Sequence, residues 1–389
     1  MNPKLRLAKK AAVVGVHSLV EKFRPPPLST SEHVPTSGAD LNVDWLTAVL
    51  CHDTPGARVV SFSTAHGSSG TSERLALRVQ YDANGSAADL PTALFTKSTK
   101  HFRQRMTLGG AGAINGESQF YTRLRPKAEI EAPMGYWGRV DPVSWRSITI
   151  MEDVTATKGV RFLTPTTGFT YAQIADLVDE LARLHAPLWG DPDILGLKTP
   201  ADYLAKTRVF LDIKKRCHVG MERAKRVIPR RLLGQSDRLF EATVRSMDLS
   251  SHCMPRTLLH GDAHAGQTYV TSSGKMGLGD WQAVLQGGWA FDFAYLVNSG
   301  CEPEDRRLWQ EDLLRRYVQT LQEAGGPTIG FDAAMLNYRQ QSFWPYTAWA
   351  FTIGRAPYQP KMQPVDTCLA VVRRTAAAID DLDAVGSLD

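Results

Sequence analysis

The apolar residues are spaced for short strands before residue 152 and mostly for helices after it. Val43 to Leu50 reads as a short helix, and Arg58 to Thr64 as a strand. Leu75, Leu77, Val79 and Tyr81 then alternate with other residues, the period of a half-buried strand. A turn at Asp82-Ala83-Asn84-Gly85 leads to a third strand, Ala93 to Thr96, which ends at Lys97. Asn115 to Leu124 predicts a helix stopped near Pro126. Its inward face carries Phe120, Tyr121 and Leu124, with Glu117 one turn earlier on the same side. Ser147 to Met151 is another strand-like run, ending in Glu152-Asp153.

Helical spacing then takes over. Thr170 and Gln173 form a capping box ahead of Ile174, Leu177, Val178, Leu181 and Leu184. His185, at the end of this run, is expected to be packed and hydrogen-bonded rather than catalytic. A short apolar run at 257–259 ends in His260-Gly261-Asp262. A second, Thr268 to Thr271, turns at Ser272 to Lys275, and a third leads to Asp280-Trp281-Gln282. This pattern puts Asp262 and Asp280 at the ends of neighbouring short strands. Such a pair suits phosphoryl transfer, in which one carboxylate orients a hydroxyl and another holds magnesium on the phosphates. Asp292 opens an apolar helix. Leu308, Leu313, Leu314, Tyr317 and Leu321 suit an amphipathic helix, and Phe343 to Phe351 a helix in the core.

The sequence His-Gly-Asp, a polar residue five places later, and then Asp-Trp-Gln resembles the aminoglycoside phosphotransferase and ecdysteroid-kinase-like families. The resemblance runs from Asp40 to Gly300. It implies an α+β, bilobal protein-kinase-like fold. The N-lobe (40–152) would be an antiparallel sheet plus a helix that binds nucleotide. The larger, mainly helical C-lobe (153–389) would carry the catalytic loop and acceptor site, and residues 1–39 would be a basic helix and linker. The implied activity is ATP-dependent phosphorylation of a hydroxyl on a small molecule, with ATP and magnesium as cofactors. Asp262 would be the base, His260 its brace, and Asp280 and Gln267 the metal ligands. Gly67, Ser68, Ser69 and Gly70 would approach the phosphates, and Lys97 paired with Glu117 would hold them. Backbone groups at Met151, Glu152 and Asp153 would meet the adenine edge. His264 resembles a frequent residue of the family with a less defined role, and Asp292 matches a later Asp of the family that would anchor the loop. Gln267 stands where the family has Asn, one methylene shorter, and magnesium tolerates little error in ligand position. That departure motivates an alternative reading, a nucleotide-binding scaffold with little or no activity.

Composition narrows the rest. The 389 residues suit two domains, and 43% apolar and 22% charged residues are those of an ordinary globular chain. A net charge of +5 without a base-reading motif gives no reason to invoke nucleic acid. Cys51, Cys217, Cys253, Cys301 and Cys368 are odd in number and scattered, which predicts reduced thiols and a cytoplasmic setting. There is no Gly-x-Ser-x-Gly, Walker or protein-kinase signature. Lys214 to Arg231 is rich in Lys and Arg, which disfavours a polycationic acceptor and suggests a neutral or acidic one, with an apolar skeleton. Lys4, Arg6, Lys9 and Lys10 precede a short apolar run, Ala11 to Val16, interrupted by His17. The run is too short to span a bilayer. A basic helix packed on the body, or a mobile extension, is expected ahead of membrane docking, with no stable membrane insertion, followed by a Pro/Ser/Thr linker from Pro25 to Gly38.

Overall fold

The computed structural model describes residues 3–357, 359 and 361–389; the side chains of Pro3, Lys4 and His66 lie outside the described set. The chain divides into two compact units. One comprises Met1–Pro126 with Pro133–Val160, the other Lys127–Ala132 with Arg161–Asp389.

The first unit is built on a five-stranded antiparallel sheet. Its strands are β1 (Val59–Ser69), β2 (Glu73–Tyr81), β3 (Ala93–Ser98), β4 (Gly135–Val140) and β5 (Ser147–Glu152), in the order β1-β2-β3-β5-β4. The helices are α1 (Pro3–Val20), α2 (Val43–Leu50), the short α3 (Ala83–Ala87), α4 (Phe102–Ala111), α5 (Gly116–Gln119) and α6 (Val154–Lys158). The alternation in β2 is as expected, with Leu77, Val79 and Tyr81 buried. They share a core with Trp45, Leu46 and Val49 of α2 and with Leu94, Ile148 and Ile150. The Asn42 side chain caps α2 by accepting from Trp45 N (2.7 Å).

Three expectations are corrected in this unit. The Pro25–Gly38 segment is not a loose linker: Val34 and Ser37 are buried, and Trp45 Nε1 donates to His33 O (2.9 Å). The turn at Asp82–Gly85 is instead the start of α3, because the Asp82 carboxylate accepts from Gly85 N and caps the helix. β1 runs to Ser69, well past Thr64. Helix α4 and strand β4 carry no clear apolar period and are additions to the expected elements. In α4 the inward side chain is Arg105, fully buried and paired with Glu21 (2.6 Å), rather than an apolar one.

The second unit holds α7 (Tyr171–His185), α8 (Pro200–Leu211), α9 (Ile213–Ala224), α10 (Ser236–His252), α11 (Ala290–Gly300), α12 (Pro303–Glu323), α13 (Phe331–Gln340), α14 (Phe343–Ile353) and α15 (Val365–Asp381). Thr170 and Gln173 form the expected capping box of α7. The aromatic residues of α14 lie in the core, as expected, against Phe240, Phe291 and Val372. Short strands make two separate ladders. β7 (Thr257–Leu259) pairs with β10 (Leu285–Gly287). β8 (Thr268–Val270) lies between β6 (Arg161–Phe162) and β9 (Met276–Leu278). Asp262 and Asp280 therefore follow strands of different ladders, which corrects the simple neighbouring-strand picture. Residues 127–132 belong with this unit: Leu278 N donates to Glu131 O (3.0 Å), and the Tyr269 hydroxyl to the Glu131 carboxylate (2.8 Å).

Candidate active site

In the second unit the His260-Gly261-Asp262 loop is held from below by one carboxylate. Asp292, in the first turn of α11 and fully buried, accepts from His260 N (2.6 Å) and Gly261 N (2.9 Å). His185 Nε2 lies 3.3 Å from the same carboxylate, and its Nδ1 lies 2.6 Å from the Tyr317 hydroxyl. A buried charge survives only when such partners replace water. Asp292 thus anchors the loop and His185 supports it, both as expected. Gly261 adopts φ +81, and a Cβ there would sit 2.2 Å from Ala283 O, so only glycine fits this turn.

His260 is also fully buried. Its Nε2 donates to Gly279 O (3.0 Å), which leaves Nδ1 to accept from Asp262 N (3.3 Å). The ring packs 4.5 Å from Trp281. The histidine spans the loop and the segment before Asp280, which makes it a positioning residue. Gly279 N donates to Gln267 O (2.8 Å) and adds a second stitch between the two segments.

The Asp262 side chain is 30% exposed, unlike the carboxylate that anchors its loop. Gln267 Nε2 donates to Asp262 Oδ2 (3.1 Å) from the short turn Ala265–Gln267. His264 Nε2 lies 3.7 Å from the same oxygen. His264 Nδ1 accepts from Gly266 N (3.0 Å), so the proton sits on the nitrogen that faces Asp262. Burial lowers the His264 pKa, opposed in part by the Asp262 charge, and keeps the ring neutral at pH 7. Its ring meets Trp349 edge-on at 5.2 Å. The Tyr295 hydroxyl is raised well above the ordinary phenol range, by burial first and the Asp262 charge second. Tyr295 was not anticipated. It lies one turn after Asp292 on α11, so Asp292-x-x-Tyr was the available signal, but the apolar setting read as plain core.

Asp280 has a left-handed backbone, φ +58, directly after β9. A non-glycine residue held there costs free energy, and such residues cluster at functional sites. A hard divalent cation suits oxygen donors of the kind at this place, a carboxylate at Asp280 and the amide oxygen of Gln267, whose NH2 is turned to Asp262. Among the described residues no three His, Cys, Asp or Glu side chains form a metal-holding group.

In the first unit, Lys97 Nζ meets Glu117 Oε1 at 2.5 Å, with both side chains largely buried. Lys97 lies on β3 between Arg74 of β2 and Thr149 of β5, on the face opposite Leu94. Phe120, Tyr121 and Leu124 are buried and fix the helical segment that carries Glu117.

Two segments expected to meet nucleotide are hydrogen-bonded within the first unit. Gly67, Ser68, Ser69 and Gly70 lie at the closed end of the β1–β2 hairpin. Ser68 and Ser69 pair with Arg74 and Glu73, Gly70 N donates to Ser72 O, and Gln104 Nε2 reaches both Ser69 Oγ and Gly70 O. At Gly67 the ladder slips, and a Cβ would overlap Arg74 O, so glycine here serves a bulge. Met151 pairs within the sheet with Phe95 and Gly135. The N–H groups of Glu152 and Asp153 donate to Met134 O and Ala93 O. The Glu152 carboxylate accepts from Thr157, and that of Asp153 binds Arg78 and caps α6. These groups are committed inside the unit, so a base-edge contact at 152–153 is left to carbonyl oxygens.

A family model described as the phosphotransferase enzyme family matches residues 88–330, more than half of the chain. No curated protein matches it. Among solved structures, a spectinomycin phosphotransferase is similar at 12% identity and a TM-score of 0.43, over 88% of this chain and 99% of that one. A choline kinase from Streptococcus pneumoniae is similar at 12% identity and 0.42, over 83% and 94%. An aminoglycoside-3'-phosphotransferase of type VIII is similar at 18% identity and 0.39, over 75% and 94%.

Proposed function

Because the chain belongs to the phosphotransferase enzyme family, we propose that it moves the terminal phosphoryl group of ATP onto a hydroxyl of a small molecule. Asp262 accepts the hydroxyl proton as the acceptor oxygen bonds to phosphorus and the bond to the ADP oxygen breaks. Asp280 and Gln267 would hold magnesium, which would supply neutralisation of charge on the phosphates. Lys97, fixed by Glu117, contacts phosphate oxygens of the nucleotide. His260, Asp292 and His185 touch no reacting atom and keep Asp262 in place.

One observation carries this reading. Asp262 is the partly exposed acid of a loop whose other acid and whose histidines are buried and spent on bracing. A silent scaffold has no use for such an arrangement, and that alternative is not favoured.

The side chains around Asp262 in the second unit are aromatic. The Tyr203 phenol is raised by burial and then by the Asp262 charge, and Tyr295 and His264 behave as described above. This supports an acceptor with a partly apolar skeleton; the reading that it is neutral rather than a polycation rests on the basic residues of 214–231. All five cysteines are unpaired, which supports a reducing, cytoplasmic setting. The test is a screen of hydroxylated acceptors with γ-labelled ATP and magnesium. A labelled phosphomonoester on a neutral alcohol is the expected product. Transfer to polyamino sugars alone contradicts the acceptor class, and transfer to no acceptor contradicts the function.

A further inference from the structure

Helix α1 is turned the wrong way for a soluble protein. Its inward face is fixed mainly by polar anchors. Lys10 Nζ donates to Pro142 O (2.6 Å) and Val143 O (2.8 Å) and lies 5.0 Å from the Trp145 ring centre. Just beyond the helix, Glu21 pairs with the buried Arg105 and with Arg146 (3.3 Å). Val14 is its one fully buried large apolar residue.

The outward face carries the apolar residues. Leu5, Val13, Val16, Leu19, Val20 and Phe23 are exposed, with Val16 at 62%, Leu19 at 58% and Phe23 at 80%. They recur at three- and four-residue intervals, the spacing of one helix face. Glu21 N bonds to His17 O and Arg24 N to Val20 O, so the helical turn continues and Phe23 extends the stripe. An ordinary surface helix buries such a stripe.

The exposed charges of this segment have one sign. Arg6, Lys9, Lys22 and Arg24 are exposed, whereas Glu21 is buried and paired. A second copy of the chain would bring like charges together over the same stripe. An anionic lipid surface matches both features, since it takes up apolar side chains and attracts the basic ones.

We propose that α1 is a docking helix for an anionic phospholipid surface. It lies in the plane of the interface, with the Val13–Phe23 stripe among the acyl chains and the basic residues at the headgroups. No described helix is long and apolar enough to cross a membrane. The proposal does not depend on the phosphoryl acceptor.

Co-sedimentation with vesicles of phosphatidylcholine, with and without phosphatidylglycerol, tests it. The full chain is expected to bind the phosphatidylglycerol vesicles and to be released by high salt. Val16→Glu with Leu19→Glu should weaken binding about tenfold or more. Lys9→Gln and Arg24→Gln should each weaken it about fivefold. These side chains are exposed, so the variants should melt like the wild type; Val16→Ser with Leu19→Ser serves if the glutamates do not. Failure of the wild type to bind phosphatidylglycerol vesicles overturns the proposal, as does unchanged binding by the stripe variants. A wild-type dimer in sedimentation that those variants abolish overturns it in favour of a second copy.

Discussion

Asp262 and Asp292 show how two identical side chains take different roles. Asp292 is sealed in and bonded to two backbone N–H groups, so it anchors; Asp262 keeps an exposed edge, so it can act. The anchoring was legible, because the apolar setting of Asp292 marks burial; for Asp262 the motif gave the position, and its exposed edge is consistent with the proposed role. Tyr295 was not legible, because a phenol in an apolar helix looks the same whether or not a carboxylate lies beside it. Gln267 was legible only by position. If its amide oxygen binds magnesium, Gln267→Leu should raise the magnesium needed for half-maximal activity steeply. Gln267→Asn should be tolerated. Identical magnesium titrations of wild type and the Leu variant would remove the metal role. His264 gives a pH prediction. Its native pKa lies below the ordinary value of about 6.5. The unfolded chain therefore takes up this proton first as pH falls, and stability is lost from about pH 6.5 down towards the lower native pKa. Urea unfolding at pH 7.5 and 5.5 should show a smaller acid loss for His264→Gln than for wild type.

The elements with a clean period were readable, and those held by polar residues were not. β2, α2 and α7 follow apolar spacing and were expected. Helix α4 turns a buried arginine inward, so no stripe marks it. The first strand was expected to end at Thr64 because Gly and Ser signal a turn, while the ladder register that carries β1 on to Ser69 is not encoded in single residues. The Glu21–Arg105 pair is buried, and removing one partner leaves a charge without water. Glu21→Ala should cost about 3–5 kcal/mol in equilibrium unfolding, because Arg105 loses its carboxylate partner and Arg146 is left with Asp141. A loss under about 1 kcal/mol would show that the pair is solvated. Lys97 and Glu117 link β3 to α5. If they act as one unit, Lys97→Ala and Glu117→Ala should be strongly non-additive in kcat/KM for ATP. Additive losses in a double-mutant cycle would show that the ion pair is not used.

At the scale of the chain, the division into a sheet-bearing unit and a helical unit was visible in the change of apolar period near residue 152. The division is not a single cut: residues 127–132 belong with the second unit through Glu131, a pairing that local sequence does not reveal. The N-terminal 39 residues were read as a helix and a linker; the helix segment is tied to the first unit through Lys10 and Glu21, and the linker, against expectation, packs as well, with Val34 buried. The central claim is that Asp262 is the base of a phosphoryl transfer to a hydroxyl. It is tested most directly by measuring acceptor turnover and nucleotide affinity together for Asp262→Asn. Turnover should fall about a hundredfold or more while nucleotide affinity is nearly unchanged. Near-normal turnover in the Asn protein would contradict the assignment.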